Sequence, residues 1–285
     1  MAAGRPRLRI GPLQVPQGYQ LPPRPPGPPA AQDAYRQSFF LLGEELEGFR
    51  QGMALQVEMA SALARARTPE AAIVLGLWSR CFTYLADACR LLLWGSYPSC
   101  LPLLRAACDA LAAQRGLFSS GFQEWRAWLQ SWPAPDRERA ALGLELGRYR
   151  SSAAIAADPR LAAVYRAASE LSQPHFGATL LQVGPEVALD HLPLAFADCA
   201  FHLGWAELVL GWLLRLCHLQ AETVAAAALA PLPAGTAEAI AELGARVEAA
   251  LARPDRCRLT EEPDGRWLLL NFRRKAGGQP RRIVL

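Results

Sequence analysis

The sequence predicts an all-α protein, built as a multi-helix bundle with a disordered Pro-rich N-terminus and a short C-terminal β-hairpin or meander. Three observations lead to this prediction. Of the 285 residues, 52% are hydrophobic and 20% are charged, which is typical of a globular chain. Eight prolines lie between residues 11 and 30, and proline prevents regular helix formation there. Apolar residues recur at helical spacing in the middle of the chain, and the period changes near its end.

The first helix is predicted over about 32–67, where an apolar stripe lies opposite glutamates and arginines. Thr68-Pro69-Glu70 then indicates a new helix, because a hydroxyl N-cap is followed by proline and an acid in the first turn. Asp158-Pro159 starts a later helix in the same way. Including these, the predicted helices are 32–67, 69–94, 97–115, 122–132, 136–149, 159–172, 190–229 and 236–251.

The longest predicted helix, 190–229, is hydrophobic around most of its circumference, which places it at the centre of the bundle. The tail differs from the helices before it. Residues 256–262 and 266–273 flank Pro263-Asp264-Gly265, a strong tight-turn signal, and 281–285 supplies a third short run. The predicted organisation is an arm over 1–30, a bundle over 31–252 and a basic β-tail over 253–285.

Charge is unevenly distributed between these regions. Residues 1–30 carry +4, and residues 253–285 carry nine cations against four acids, or +5, so a total of +4 leaves 31–252 at −5. Basic ends favour solvated tails or contacts with anionic partners such as nucleic acid. The two most apolar stretches, 71–94 and 192–219, are interrupted by charges, so no membrane span is predicted.

The seven cysteines form no CxxC pair and lie within apolar helical runs, apart from the last. This usage indicates small buried hydrophobes in a reducing compartment, and hence a cytoplasmic protein. Phosphate-loop, dinucleotide, zinc-protease and nucleophile-elbow motifs are absent, so no cofactor is predicted.

A candidate metal or general-base site lies near the start of the predicted central helix. His191, Asp198 and His202 differ by about 20° and about 40° around an ideal helix, so they would share one face. Two imidazoles and a carboxylate can bind zinc or iron. The alternative is an ordinary Asp–His hydrogen bond near a helix start.

A second cluster combines Arg80 and Asp87 on one predicted helix with Arg105 and Asp109 on the next. Buried charges need partners, so cross-helix ion pairs that fix helix register are expected; the alternative is an anion pocket built on Arg105.

Further along the chain, Ser172 and His175 stand three residues apart at a helix end, as a nucleophile and base or as a capping arrangement. In the tail, Trp267 and Phe272 lie among cations, a pattern suited to single-stranded nucleic acid. Their odd separation puts them on opposite faces of a strand, so one must belong to the core.

Two stretches carry a family resemblance over roughly 70–220. Gly95-x-Tyr97-x-Ser99-x-x-Pro102-Leu103-Leu104-Arg105-x-x-x-Asp109 is followed by Tyr165-x-x-x-x-x-Leu171-Ser172-x-x-His175. Together they resemble uncharacterised bacterial helical-bundle families thought to be related to the HEPN nucleotide-binding and ribonuclease bundles. The resemblance implies an often dimeric bundle with Arg105, Asp109, Ser172 and His175 around one polar site. Arg166, the nearest arginine before His175, is nine positions away across Pro174, which departs from the nuclease-active pattern.

Two functions are therefore expected. The first is a non-catalytic helical interaction module that self-associates or binds a partner protein. The second is a HEPN-like nucleotide-binding or RNA-processing protein that uses Arg105, Asp109 and His175.

Overall fold

The computed structural model describes residues 10–11, 14–131, 152–184 and 194–285. Within these residues the chain is helical and ends in one small antiparallel sheet, so the predicted fold class is confirmed. The predicted helix over 136–149 lies outside the described residues. The elements are α1 Pro29–Leu63, α2 Pro69–Leu93, α3 Tyr97–Ser119, α4 Gln123–Ser131, α5 Ser152–Ala156, α6 Pro159–Leu171, α7 Phe176–Val183, α8 Leu203–Ala226, α9 Thr236–Leu251, β1 Arg258–Glu261, β2 Trp267–Phe272 and β3 Arg281–Val284.

Helix α8 lies at the centre of the bundle and packs against α1, α2, α3, α6 and α9. Nearly all of its side chains are buried, as expected for a helix that is apolar on every side. The predicted start near residue 190 is wrong for the described part of that range: residues 194–202 are irregular, and α8 begins at Leu203. His202 is its N-cap, and Asp198 accepts a hydrogen bond from Ala200 N–H in the preceding loop.

Local capping follows the sequence at two of the predicted helix starts. The Thr68 side chain accepts from Ala71 N–H at 3.1 Å, and Asp158 accepts from Arg160 N–H at 2.8 Å. Helix α7 departs from the prediction, because Pro174, Gly177, Gly184 and Pro185 in and around it indicate a loop. It forms because Ala178 and Leu181 bury one apolar side against the bundle.

The N-terminal arm contains no helix or strand in residues 14–28, as its prolines predict. This part of the arm nevertheless packs on the bundle. The Tyr19 ring makes edge-on contacts with Phe49 of α1 and Phe82 of α2, with centroids 6.0 and 5.7 Å apart. The aromatic anchor therefore holds an irregular segment against two helices.

The tail forms the predicted meander, with strand order β1-β2-β3. The turn between β1 and β2 contains Gly265 at φ +82°, a conformation that glycine adopts without strain. Leu268, Leu269 and Phe272 are buried, so the sheet packs on the bundle instead of standing alone.

A buried ion cluster attaches the tail to the helices. Arg256 is only 1% exposed, and its Nη1 lies 2.7 Å from both Glu45 carboxylate oxygens. Its Nη2 donates to the Glu207 carbonyl, and the Glu207 carboxylate accepts from Cys257 N–H at 2.9 Å. Arg253 adds contacts to Glu45 at 3.2 Å and Glu207 at 3.5 Å. In this cluster the buried charges are matched by opposite charges or hydrogen bonds.

Candidate functional site

The Arg105 part of the predicted polar site lies between α3 and α6. The Arg105 guanidinium sits 5.9 Å from the Tyr165 ring centroid, and its Nε is buried without a hydrogen-bond partner among the described residues. Asp109, one turn further along α3, has an interaction partner and is not an unpaired carboxylate. The expected cross-helix ion pairs of Arg80 and Asp87 are replaced by local contacts on α2: Arg80 donates to Tyr84 at 3.0 Å, and Asp87 pairs with Arg90 at 2.7 Å.

Ser172 and His175 are each engaged close to their own backbone. Ser172 caps the end of α6 and its hydroxyl donates to the Ala168 carbonyl at 2.5 Å. His175 is 55% exposed, and its Nε2 lies 3.2 Å from Glu170. Among the described residues, no hydrogen bond or ion pair joins Ser172 to His175, or either of them to Arg105. The contacts therefore correspond to the capping alternative and not to a nucleophile–base pair.

The predicted metal stripe is not formed as a helix face. His191 lies outside the described residues, and Asp198 precedes α8 instead of lying on it. Within the described part of the chain, no three His, Cys, Asp or Glu side chains are grouped so that they could hold a metal ion. His202 instead caps the start of α8 and contacts Phe272 of β2.

The loop after β2 docks on the start of α8 through backbone hydrogen bonds. Leu203 N–H donates to the Arg274 carbonyl at 3.0 Å, and Gly204 N–H donates to the Arg273 carbonyl at 2.9 Å. A Cβ on Gly204 would lie 2.8 Å from the Phe272 ring and 3.2 Å from Arg273 N, so only glycine permits this approach. These contacts place the loop directly over the start of α8.

A cavity of about 210 Å³ opens where this loop meets α8; we call it the tail pocket. Among the described residues its lining is strongly basic and contains no carboxylate. The described residues that line it are His202, Phe272, Arg273, Arg274, Lys275, Gly278, Gln279 and Arg281.

The cations of the tail pocket differ in how far acids compensate them. Arg273 donates to the Asp255 carbonyl at 2.6 Å and lies 3.6 Å from Glu207 of the buried cluster. Arg274 faces Asp198 at 3.8 Å, near the limit for an ion pair. Among the described residues Lys275 has no acidic partner within ion-pair distance. The pocket therefore concentrates positive charge that the protein only partly neutralises.

His202 contributes an unpaired hydrogen-bond donor to the lining of the tail pocket. The side chain is 4% exposed, and its Nδ1 accepts from Trp205 N–H at 3.3 Å as the N-cap of α8. Burial, together with the nearby Arg274 guanidinium, lowers the pKa of His202 from 6.5 to about 3, so the ring is neutral. Because Nδ1 is the acceptor, the proton of the neutral ring is on Nε2. That N–H is buried and has no partner among the described residues.

The sequence pointed to parts of this pocket without joining them. The sequence marks the tail as basic and predicts His202 as a metal ligand. Phe272 is the core aromatic that the strand period required, at 3% exposure, and its ring lies 4.4 Å from that of His202. Gly278 and Gln279 were predicted only as part of a turn, and Arg281 only as a tail cation at the start of a short strand, because only the docking of the tail brings them to the start of α8.

Comparisons with known proteins identify no relative: no family model matches, and no curated protein or solved structure matches significantly. The structure adds one further observation. Across the described residues, no helix has both the length and the apolar character needed to cross a membrane.

Proposed function

We propose that this protein is a non-catalytic helical binding module that holds a phosphate-bearing ligand in the tail pocket. The observation that carries the proposal is the buried Nε2–H of His202, which points to a ligand because it has no protein acceptor among the described residues. An unpaired buried donor is costly, and an anion supplies the missing acceptor. The partly compensated cations of the lining supply the matching charge.

A phosphate fits this lining better than a single carboxylate. It presents oxygens in several directions, as a cavity lined by His202, Arg274 and Lys275 requires. Guanidinium groups bind phosphate oxygens in pairs, and a lysine adds a compact charge. The first-turn amides of α8 play no part, since Leu203 N–H and Gly204 N–H already donate to backbone carbonyls of the tail.

A binding role is favoured over catalysis because the lining residues offer no general base. His202 carries its available proton on Nε2, and no described carboxylate or thiol lines the tail pocket. Burial raises the pKa of Cys89 and of Cys217 to about 12, so these thiols are not activated nucleophiles either.

The alternative, a HEPN-like nucleotide-binding or RNA-processing protein, has one supporting observation. The buried Arg105 Nε lacks a hydrogen-bond partner among the described residues, as an anion-binding arginine would. Against it, Ser172 and His175 are bonded to Ala168 and Glu170. The phosphate-binding module is therefore favoured over the HEPN-like function. RNA cleavage by the wild type that is lost in both Arg105→Ala and His175→Ala would favour the HEPN-like function instead.

Self-association and a reducing, cytoplasmic location belong to the same proposal. Phe176 and Phe196 are almost fully exposed, and large bare aromatics are common where a partner covers a surface. All seven cysteines are free, which supports a reducing compartment. Light scattering of the purified chain at several concentrations tests self-association, and a constant monomer mass would remove it.

Calorimetric titration with inorganic phosphate tests the tail pocket directly. His202→Asn keeps an N-cap acceptor but removes the Nε2 donor, so phosphate affinity is expected to fall at least about tenfold. Arg80→Ala removes one cation from α2, outside the pocket, and serves as the charge-matched control. Equal phosphate affinity in wild type and His202→Asn would overturn the proposal.

A further inference from the structure

The tail pocket adjoins an open edge of the sheet. Arg281 lines the pocket and is also the first residue of β3. In the strand order β1-β2-β3, β3 is an edge strand, and no described residue pairs with its outer side. Such an edge presents unpaired backbone donors and acceptors to an extended chain.

The register identifies which backbone groups face outward. Leu285 N–H donates to the Trp267 carbonyl at 2.8 Å, so these two residues form a hydrogen-bonded pair. Antiparallel pairs alternate, and the neighbouring pair is Leu268 with Val284. The N–H and C=O of Val284 therefore point away from β2, and the Val284 side chain is 56% exposed.

The charge beside this edge selects the chemistry of the chain that could pair with it. From Arg266 to the end of the given sequence there are six cations and no acid. Arg282 and Lys275 lie at the start of β3 and in the loop before it. A strand that carries negative charge is complementary to this region, whereas a second copy of β3 would bring arginines against arginines.

Single-stranded nucleic acid fits the same surface less well. Its binding sites combine cations with exposed aromatic faces on which bases stack. The aromatic rings in the pocket lining are those of His202 and Phe272, which are both buried and lie against each other. The described lining therefore offers phosphate contacts and a strand edge but no stacking platform.

We propose that the ligand is an extended phosphopeptide, which adds to the sheet as a fourth strand beside β3 and places its phosphate in the tail pocket. This inference rests on the proposed function. Strand addition supplies affinity through main-chain hydrogen bonds, and the phosphate supplies selectivity and register. Four residues of β3 span roughly 13 Å, so a peptide of about seven residues is long enough to cover both features.

Fluorescence anisotropy with a labelled heptapeptide containing a central phosphoserine tests the pairing. Val284→Pro removes the outward N–H without removing a bond to β2, since proline is tolerated on edge strands. It is expected to weaken phosphopeptide binding about tenfold and to leave the affinity for inorganic phosphate unchanged. Val284→Thr retains the N–H and is the matched control, with affinity close to wild type.

Two further ligands define the chemistry. The unphosphorylated heptapeptide, and the phosphopeptide with N-methylated alternate amides, are each expected to bind at least about tenfold more weakly. A 5′-phosphorylated heptanucleotide is the nucleic-acid arm. Tighter binding of the oligonucleotide than of the phosphopeptide would overturn the inference, as would equal phosphopeptide affinity in Val284→Pro and wild type. Either result leaves the phosphate site standing, whereas loss of the His202 dependence removes the phosphate site itself.

Discussion

Two groups of charged side chains meet at Arg273, and they handle charge in opposite ways. On one side, in the buried ion cluster, Arg256 is sealed between Glu45 and Glu207. On the other side, in the tail pocket, His202 Nε2 has no described partner and Lys275 faces no described acid. Matched charges join the tail to the bundle, and unmatched donors remain available for a ligand. The difference provides a physical criterion for separating structural from functional cations in the same tail.

The largest expected loss of stability follows from removing the Arg256 guanidinium at the centre of the buried ion cluster. Arg256→Met leaves Glu45 as a buried carboxylate that has lost its closest partner. Removing one member of a buried pair typically costs about 3–5 kcal/mol in the free energy of unfolding. Urea denaturation followed by circular dichroism measures this loss.

The double variant Glu45→Leu/Arg256→Met provides the control for that prediction. It removes both charges together, so much of the lost stability is expected to return. Arg36→Ala breaks only an exposed pair with Asp33 and is expected to change stability by less than about 0.5 kcal/mol. A loss below about 1 kcal/mol in Arg256→Met would mean that the cluster does not fasten the tail.

The sequence predicted the bundle and the meander because their signals are local. Thr68 before Pro69, and the Pro263-Asp264-Gly265 turn, each act on neighbouring backbone groups, and the structure confirms both. The central helix was extended too far towards the N-terminus, because apolar character continues beyond its true start. The capping by His202 that begins α8 leaves no distinctive signal in a single sequence.

The tail pocket could not be predicted for a different reason. Its donor and its cations are about 70 residues apart in the chain, and a single docking contact brings them together. Gly204 admits the Phe272 ring, and two carbonyls of the tail loop satisfy the first amides of α8. No periodicity encodes such a long-range contact, so the sequence pattern groups His202 with His191 and Asp198 instead of with Arg274.

Gly204→Ala tests that docking contact and carries the second largest expected effect. The new methyl group would press on Phe272 and on the backbone nitrogen of Arg273, and such overpacking costs about 1–3 kcal/mol. Phosphate affinity should fall as well, because the loop that carries the cations must shift. Gly76→Ala on α2 meets open space and is the matched control, expected to gain about 0.5–1 kcal/mol. Unchanged phosphate affinity in Gly204→Ala would show that phosphate binding does not depend on the docking of the loop on α8.

Acid should destabilise the protein through His202, since its pKa is about 3 in the folded chain and 6.5 in the unfolded chain. Below pH 6.5 the His202 ring is protonated in the unfolded chain but stays neutral in the folded chain. The free energy of unfolding therefore falls with decreasing pH. Between pH 6.5 and pH 5 the contribution of His202 amounts to about 1.5 kcal/mol. Denaturation curves of wild type and His202→Asn at both pH values measure it. Parallel losses in the two proteins would show that His202 is not held neutral.

The smallest effect on stability is expected at Lys275, and it sharpens the comparison most. Lys275→Ala removes a cation without a described acidic partner, so the free energy of unfolding should change by less than about 0.5 kcal/mol. Phosphate affinity should nevertheless fall about three- to tenfold, and the loss should shrink as salt is added, because exposed charges are screened.

Arg80→Ala, a cation removed from α2, should leave both quantities unchanged. A stability loss above about 1 kcal/mol in Lys275→Ala would place this lysine with Arg256 among the structural cations, and the distinction between the two clusters would fail.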